Sequence, residues 1–157
     1  MKFKEVMVLI IAIVLDMATK MYFQASLALG ESIEVIPGFF SFTYAINKGA
    51  AWSILEGQMI FFYIVTTIVC IGLLTFLIKY KQATILERYS VVLMLAGALG
   101  NFYDRIRFSY VRDFLDFNLF GYPFPIFNLA DSFLCIGVAL LFLQWFILDT
   151  KKGSIDV

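Results

Sequence analysis

The sequence predicts an all-α membrane protein with four transmembrane helices, a small β-sheet cradle and a short extra segment on its outer side. Of 157 residues, 62% are hydrophobic and only 15% are charged, whereas a soluble domain is nearer half apolar and a quarter charged. The apolar residues are concentrated in four runs, each close to the length that crosses a hydrocarbon core of about 30 Å. We expect a single integral membrane domain over residues 1–157.

The four predicted transmembrane helices lie at about residues 6–25, 58–79, 87–106 and 128–149. The second is the clearest, because residues 59–78 carry no charge and span about 30 Å at a rise of about 1.5 Å per residue. The first is interrupted by Asp16 and Lys20. A charged group near the bilayer centre costs a few kcal/mol or more, so each one there is a candidate functional group.

The distribution of Lys and Arg in the connecting segments predicts the orientation of the helices. With four spans, one side of the membrane carries seven basic residues, namely Lys2, Lys4, Lys79, Lys81, Arg88, Lys151 and Lys152. The other side carries three, namely Lys48, Arg107 and Arg112. We therefore expect a multi-pass membrane protein with both termini in the cytoplasm.

The two outer segments differ in their predicted structure. Segment 27–57 contains apolar–polar alternation at Ile33 and Val35 and again over 41–47, with Pro37-Gly38 between the two runs, which is typical of a β-hairpin. An open sheet cannot face lipid, so this β element should rest on the outer membrane surface. Segment 107–127 is aromatic-rich and ends in Tyr-Pro-Phe-Pro, which disfavours a helix.

The composition excludes several classes of function. The chain has no histidine, which removes Ser-His-Asp and Cys-His catalysis and nearly every ordinary zinc site. Its formal net charge is zero, which argues against nucleic-acid binding. We expect no metal and no cofactor. If the protein is an enzyme, carboxylates or a lysine must transfer the protons.

Three groups of polar residues near or within the helices are candidates. Asp16 and Lys20 are four residues apart and predict a structural ion pair that docks the first helix. Asn101, Asp104 and Arg105 share one face at the outer end of the third helix. An ion pair between Asp104 and Arg105 would explain two of them, whereas contact with a substrate, or organisation of a site, would explain all three.

Asp113 and Asp131 are the candidate acid–base pair, because the topology places both at the same depth on the same face of the membrane. Two carboxylates in a low-dielectric site share a proton. One can then activate water as a base while the other acts as an acid. Alternatives stay open: Asp116 is a rival partner, and Asp131 suits the positive helix end behind an N-cap at Asn128 without any catalytic role.

Weaker candidates are a Ser-Lys dyad and the two cysteines. Lys20 is a conceivable base for Ser53 or Ser132, but no spacing singles out either serine. Cys70 and Cys135 lie deep in apolar runs and are expected to be core residues. The small residues around Gly97 and Gly100 are expected to permit close helix packing.

Five sequence blocks, in order, resemble the bacterial lipoprotein signal peptidases, or type II signal peptidases. They are DMATK at 16–20, NKGAAWS at 47–53, AGALGNFYDR at 96–105, VRDF at 111–114 and FNLAD at 127–131. The resemblance implies an intramembrane aspartic endopeptidase. Such an enzyme is a multi-pass protein of the bacterial cytoplasmic (inner) membrane. It removes the signal peptide of a diacylglyceryl-modified prolipoprotein by cutting before the lipidated cysteine, near the outer face of that membrane.

The resemblance also implies roles for individual residues and partners. It assigns catalysis to Asp113 and Asp131, and it assigns substrate or inhibitor contact, or organisation of the site, to Asn47, Gly49, Asn101, Asp104, Arg105 and Asn128. The outer β element would embrace the lipidated peptide, and globomycin-type cyclic peptides would inhibit. We expect prolipoproteins and the phospholipid bilayer as partners, no nucleic acid, and a monomer.

Two departures and one rival function bear on this interpretation. Ala96 stands where glycine is common in the family, and Arg112 precedes Asp113 where a small or apolar residue is more usual, which leaves the local charge beside Asp113 open. A small proton-coupled carrier or channel is the alternative function. It predicts polar groups through the membrane thickness, whereas here most gather at the outer end.

Overall fold

The computed structural model describes residues 1–50 and 54–153, with side chains up to residue 147. Ser53 and the side chains of Lys151 and Lys152 lie outside the described residues. The elements follow in the order α1 (Phe3–Ser26), β1 (Ser32–Ile36), β2 (Phe40–Asn47), α2 (Met59–Lys79), α3 (Ile85–Phe108), β3 (Val111–Leu119), β4 (Tyr122–Pro123) and α4 (Leu129–Gly153).

Within these ranges, four helices are long and apolar enough to cross a membrane. The predicted combination of four spanning helices and a small sheet is therefore confirmed. Most large apolar side chains of α1, α2 and α4 are exposed, as expected of surfaces that face lipid rather than water.

Helix α3 is the centre of the bundle and packs against each of the other three helices. Its start is defined by a capping box in which Thr84 Oγ1 accepts from the backbone N–H of Glu87, while the Glu87 side chain accepts from the N–H of Thr84. These bonds satisfy two of the unpaired donors of a helix N-terminus. Its end is defined by Ser109 in the left-handed conformation, with φ of 63°.

Small residues bring α3 and α4 into close contact, as the sequence predicts. A Cβ atom at Gly97 would overlap the carbonyl oxygen of Ala130, and one at Gly137 would overlap the backbone of α3 at Ser90. Only glycine permits this approach. A Cβ atom at Gly100 would likewise overlap the carboxylate of Asp16, so α1 also packs tightly against α3 at the level of the polar residues.

The sheet is antiparallel with strand order β1-β2-β3-β4. The β1–β2 hairpin turns at Pro37-Gly38, as predicted, and Gly38 has the positive φ of 68° that such a turn needs. The second outer segment is more than the short extra segment expected, because residues 111–119 form β3 in the same sheet. The fold thereby places Asp113 opposite Ala45 of β2.

An aromatic cluster attaches the sheet to the end of α1. Phe23 of α1 stacks on Phe42 of β2 and on Phe114 of β3, with ring centroids 4.6 Å apart in each pair. Leu27 and Tyr44 complete the cluster. Such contacts contribute about 0.5–1.5 kcal/mol per ring pair beyond area burial. The cluster attaches β3 to the end of α1 at Phe114, the residue that follows Asp113.

A buried ion pair joins the helices at the opposite end of the bundle. The guanidinium of Arg88 donates to both carboxylate oxygens of Glu5, at 2.6 and 2.9 Å. The same guanidinium also donates to the carbonyl oxygens of Leu77 and Tyr80. Arg88 thus connects α1, the end of α2 and the start of α3, a role that its position in the sequence does not indicate.

Candidate active site

The start of α4 builds one half of the site. Asn128 precedes the helix, and its Oδ1 accepts from the backbone N–H of Asp131 at 3.0 Å, while Asp131 Oδ2 accepts from the backbone N–H of Asn128 at 3.2 Å. This reciprocal pair satisfies free donors at the helix N-terminus. The predicted N-cap at Asn128 is confirmed. The cap also fixes the direction in which the Asn128 amide nitrogen points.

The Asn128 amide connects the two aspartates. Its Nδ2 donates to Asp113 Oδ1 at 2.6 Å, and its backbone N–H donates to Asp131. A second amide, Asn101 Nδ2 of α3, donates to Asp131 Oδ1 at 2.7 Å. The two carboxylates are therefore brought together by two asparagines from different helices, and each amide donates to one of them.

Asp116, the rival partner, is placed elsewhere. It accepts a hydrogen bond at 2.6 Å from the hydroxyl of Thr43, whose oxygen is also hydrogen-bonded to the hydroxyl of Ser32. It lines a separate depression on the sheet with Glu34 and Phe40. Side chains three positions apart on a strand point to opposite faces, so the geometry favours Asp113 over Asp116 as the neighbour of Asp131.

The two aspartates differ in their surroundings. Asp113 is only 2% exposed. Burial, together with repulsion from the Asp131 charge, raises the pKa of Asp113 to about 8, although hydrogen bonds from Asn128 and Asn47 act in the opposite direction. Asp131 is partly exposed and lines the large cavity described below. The structure thus favours the protonated form of Asp113 and places Asp131 where water can reach it.

Asp104 does not pair with Arg105, so that alternative from the sequence analysis is wrong. Both carboxylate oxygens of Asp104 are bound by Arg112, at 2.6 and 3.1 Å, and one also accepts the Arg112 backbone N–H at 3.0 Å. Arg112 also donates to Gln24 Oε1 and lies 4.6 Å over the ring of Phe108. The guanidinium is thereby held by Asp104 and Gln24, so the positive charge of Arg112 is paired with Asp104 and not with the neighbouring Asp113.

Arg105 is free to face the cavity because Asp104 is otherwise engaged. One Nη donates to the carbonyl oxygen of Gly49 at 3.0 Å, and the guanidinium carbon lies 4.6 Å from the ring centroid of Phe62. Its buried Nε has no hydrogen-bond partner within the described part of the chain. Gly49 in turn donates its N–H to Asn47 Oδ1 at 2.9 Å. Gly49 thus connects Asn47 and Arg105, which both line the cavity.

The predicted ion pair within α1 is confirmed, and it reaches further than expected. Lys20 Nζ lies 2.8 Å from Asp16 Oδ2, and both side chains are fully buried. Asp16 Oδ1 accepts from the backbone N–H of Ala130 at 2.9 Å, which docks α1 on the start of α4. Lys20 also donates to Asn101 Oδ1 at 3.0 Å and lies 3.6 Å from Asp104.

A cavity of about 720 Å³ opens on this site between α2, α3, α4 and residues 124–127. Val65, Val69 and Leu134 are among its apolar lining residues, and its polar lining consists of Asn47, Thr66, Asn101, Arg105, Asp131 and Ser132. A binding site with apolar walls and a few convergent polar groups suits a largely apolar ligand that carries a polar group at one position.

The structure also corrects or leaves open the weaker candidates. Ser132 donates its hydroxyl to the carbonyl oxygen of Asn128 at 3.0 Å, while the Lys20 ammonium is held by Asp16 and Asn101, so no Ser132–Lys20 dyad is formed. Ser53 lies outside the described residues. Cys70 is buried as expected, but Cys135 is exposed and lines the cavity; its expected place in the core was wrong.

Two supporting residues had no signal in the sequence. Gln24 accepts from Arg112 across 88 positions, and the Tyr63 hydroxyl donates to the carbonyl oxygen of Arg105 across 42 positions. A polar residue at the end of an apolar run is common, so neither residue stands out before the helices are packed together.

The fold and the site together define a protein with four helices able to cross a membrane and with two aspartates held by asparagines beside a cavity. A sequence model of the family described as "Signal peptidase (SPase) II" matches residues 8–147. The chain belongs to the signal peptidase II family.

Relatives and solved structures agree with this assignment. The proteins named "Lipoprotein signal peptidase" of Staphylococcus aureus strains JH9 and Newman are each 46% identical over 137 residues, which cover 87% of this chain and 84% of theirs. A bacterial membrane enzyme solved by the in meso method at 2.3 Å resolution superposes with a TM-score of 0.88 and 43% identity, over 95% of this chain and 90% of that one. A second such structure, at 1.9 Å, gives a TM-score of 0.81.

Proposed function

We propose that this protein is an intramembrane aspartic endopeptidase that removes the signal peptide from diacylglyceryl-modified prolipoproteins, cutting before the lipidated cysteine. The observation that carries the mechanism is the arrangement of Asn128, whose side chain donates to Asp113 and whose backbone donates to Asp131. Membership of the signal peptidase II family and the relatives named lipoprotein signal peptidase support the substrate class.

The carboxylates perform general acid–base hydrolysis. Asp131 takes a proton from water as the water oxygen bonds to the scissile carbonyl carbon, and Asp113 gives its proton to the carbonyl oxygen. As the C–N bond breaks, protonated Asp131 donates to the leaving amine, and Asp113 recovers a proton from the intermediate hydroxyl. Both groups return to their starting states, and the products are a carboxylic acid and an amine, which then exchange a proton.

The remaining polar residues hold the peptide and the site. Arg105 has a buried Nε without a partner in the described part of the chain, so it can donate to a substrate carbonyl oxygen. Asn47 and Gly49 hold the wall beside it, and Asp104 organises Arg112. The apolar lining of the cavity takes the hydrophobic part of the signal peptide, whose own backbone bonds are satisfied as a helix.

Several further proposals follow from the sequence and the family. Both termini face the cytoplasm, given the seven-to-three excess of basic residues on that side, and the active site lies near the outer face of the bacterial inner membrane. The sheet acts as a cradle for the lipidated peptide. Globomycin-type cyclic peptides occupy the same cavity, and the enzyme works as a monomer that forms one integral membrane domain.

The carrier alternative is not favoured. A proton relay needs titratable groups along the membrane thickness, whereas helix α2 has none among residues 59–78 apart from Tyr63 and Cys70. Within the first helix, Asp16 and Lys20 neutralise each other at 2.8 Å, and Glu5 near its start is paired with Arg88.

Reconstituted cleavage tests the proposed function. The protein in liposomes should convert a diacylglyceryl-modified precursor into a lipoprotein that begins with the modified cysteine, as measured by mass spectrometry of both fragments. A precursor with serine in place of that cysteine cannot be lipidated and should remain intact. Cleavage at another bond, or equal cleavage of the serine precursor, would contradict the proposed specificity.

A further inference from the structure

The Lys20 ammonium contacts the reactive site as well as its partner Asp16. It is fully buried, and it donates to Asn101 Oδ1 at 3.0 Å. The opposite end of the same amide, Asn101 Nδ2, donates to Asp131 Oδ1 at 2.7 Å. One asparagine thus separates a buried cation on α1 from a reactive carboxylate on α4.

The chemistry of lysine fixes the orientation of this amide. An ammonium has three donors and no acceptor, so only the oxygen of the Asn101 amide can face it. The Asn128 amide, 3.1 Å from the same oxygen, acts in the same sense. The Asn101 nitrogen is therefore directed at Asp131. The reversed amide would place its oxygen against the carboxylate and its nitrogen against the cation, which is unfavourable at both ends.

A docking role alone does not account for this contact. Asp16 docks α1 through its own bond to the backbone of Ala130 at 2.9 Å, and Asp104 has Arg112 as a closer partner than Lys20. Neither needs the contact between Lys20 and Asn101. The contact does have a consequence for Asp131, because a donor polarised by a cation favours the ionised form of the carboxylate that it reaches.

We propose that Lys20 is a positioning residue for the reaction: by orienting the Asn101 amide, it keeps Asp131 in the ionised form that accepts a proton from water. The inference rests on the proposed function. The charged and titratable groups around Asn101 and Asp131 are Asp16 and Lys20 on α1, Tyr63 on α2, Asp104 and Arg105 on α3, and Arg112 and Asp113 on β3.

The test compares two variants that differ only at Lys20. Asp16→Asn keeps Lys20 beside Asn101 but weakens the docking of α1, so it should lower the unfolding temperature, and its kcat and pH profile are the reference for the second variant. Asp16→Asn with Lys20→Met removes the contact without leaving Asp16 as an unpaired charge. It should lower kcat by a further about 10- to 100-fold, with KM close to wild type and the acidic limb moved to higher pH.

The outcomes separate this inference from the proposed function. If the double variant has the kcat and acidic limb of Asp16→Asn, Lys20 serves only structure and the inference is overturned. If the double variant does not fold, Lys20→Gln in the same background keeps a polar group at the site, and the same two readouts decide. Failure of the wild-type protein to cleave a lipidated precursor would instead refute the proposed function.

Discussion

Asp131→Asn and Asp113→Asn should each lower kcat for precursor cleavage by about 10³-fold or more. An amide at position 131 cannot accept the proton of the attacking water. An amide at position 113 has no acidic proton to give to the carbonyl oxygen. Both side chains keep their size, and Asn128 keeps its place between them, so the loss would reflect chemistry. Single-turnover cleavage of a lipidated precursor in liposomes measures it.

Asp116→Asn is the matched control. Asp116 lies on the same strand as Asp113, but it is bonded to Thr43 on another part of the sheet, so this variant should cleave at close to the wild-type rate. Full activity of Asp113→Asn together with loss of activity in Asp116→Asn would exchange their roles and contradict the mechanism.

Stability distinguishes a chemical defect from misfolding in Asp113→Asn. The pKa of Asp113 is raised from 3.8 to about 8, so between these values the folded protein holds a proton that the unfolded chain has lost. The contribution of Asp113 to the free energy of unfolding therefore falls as the pH rises from the lower of these two pKa values to the higher. Asp113→Asn should consequently unfold at a higher temperature than wild type at pH 8, and this advantage should shrink towards pH 4.

Arg112→Met should lower the free energy of unfolding by about 3–5 kcal/mol. Asp104 is fully buried, and Arg112 supplies its two closest side-chain contacts as well as a backbone N–H. Methionine fills much of the same volume but leaves the carboxylate with Lys20 at 3.6 Å as its remaining cation. Removing one partner of a buried ion pair lowers the free energy of unfolding far more than removing one partner of an exposed pair.

Unfolding in detergent micelles, followed by circular dichroism, measures this effect. Arg107→Met is the control, because Arg107 is exposed on the same stretch of chain, and its replacement should change stability by no more than about 0.5 kcal/mol. Equal stability of the two variants would show that the contact between Arg112 and Asp104 does not hold β3 on α3.

Local spacing was enough to predict part of the site. The pair formed by Asp16 and Lys20 is four residues apart on one helix, and the cap formed by Asn128 and Asp131 is three apart, so each follows from helix geometry. The apolar runs likewise predicted the four spanning helices, because length and hydropathy alone decide whether a helix can cross a bilayer.

The contacts between distant elements could not be predicted in this way. Asp104 pairs with Arg112 because β3 returns over the end of α3. Spacing along the helix indicates its neighbour Arg105 as the partner instead. Strand register selects Asp113 over Asp116, and it includes an irregularity between Phe42 and Ala45 that alternation does not predict. The ion pair of Arg88 with Glu5 joins residues 83 positions apart, for which the sequence carries no periodic signal.

The pH dependence of kcat/KM for the wild-type enzyme tests the central claim most directly, since kcat/KM reports the free enzyme. The carboxylate pair needs Asp113 protonated and Asp131 ionised. Because burial and the neighbouring charge raise the pKa of Asp113 to about 8, activity should fall as pH rises through about 8, and it should also fall in acid as Asp131 gains a proton. A bell-shaped profile with that alkaline limb is the expected result. Activity that rises through pH 8 to a plateau would require a group that must lose its proton there, and it would contradict a mechanism based on these two carboxylates.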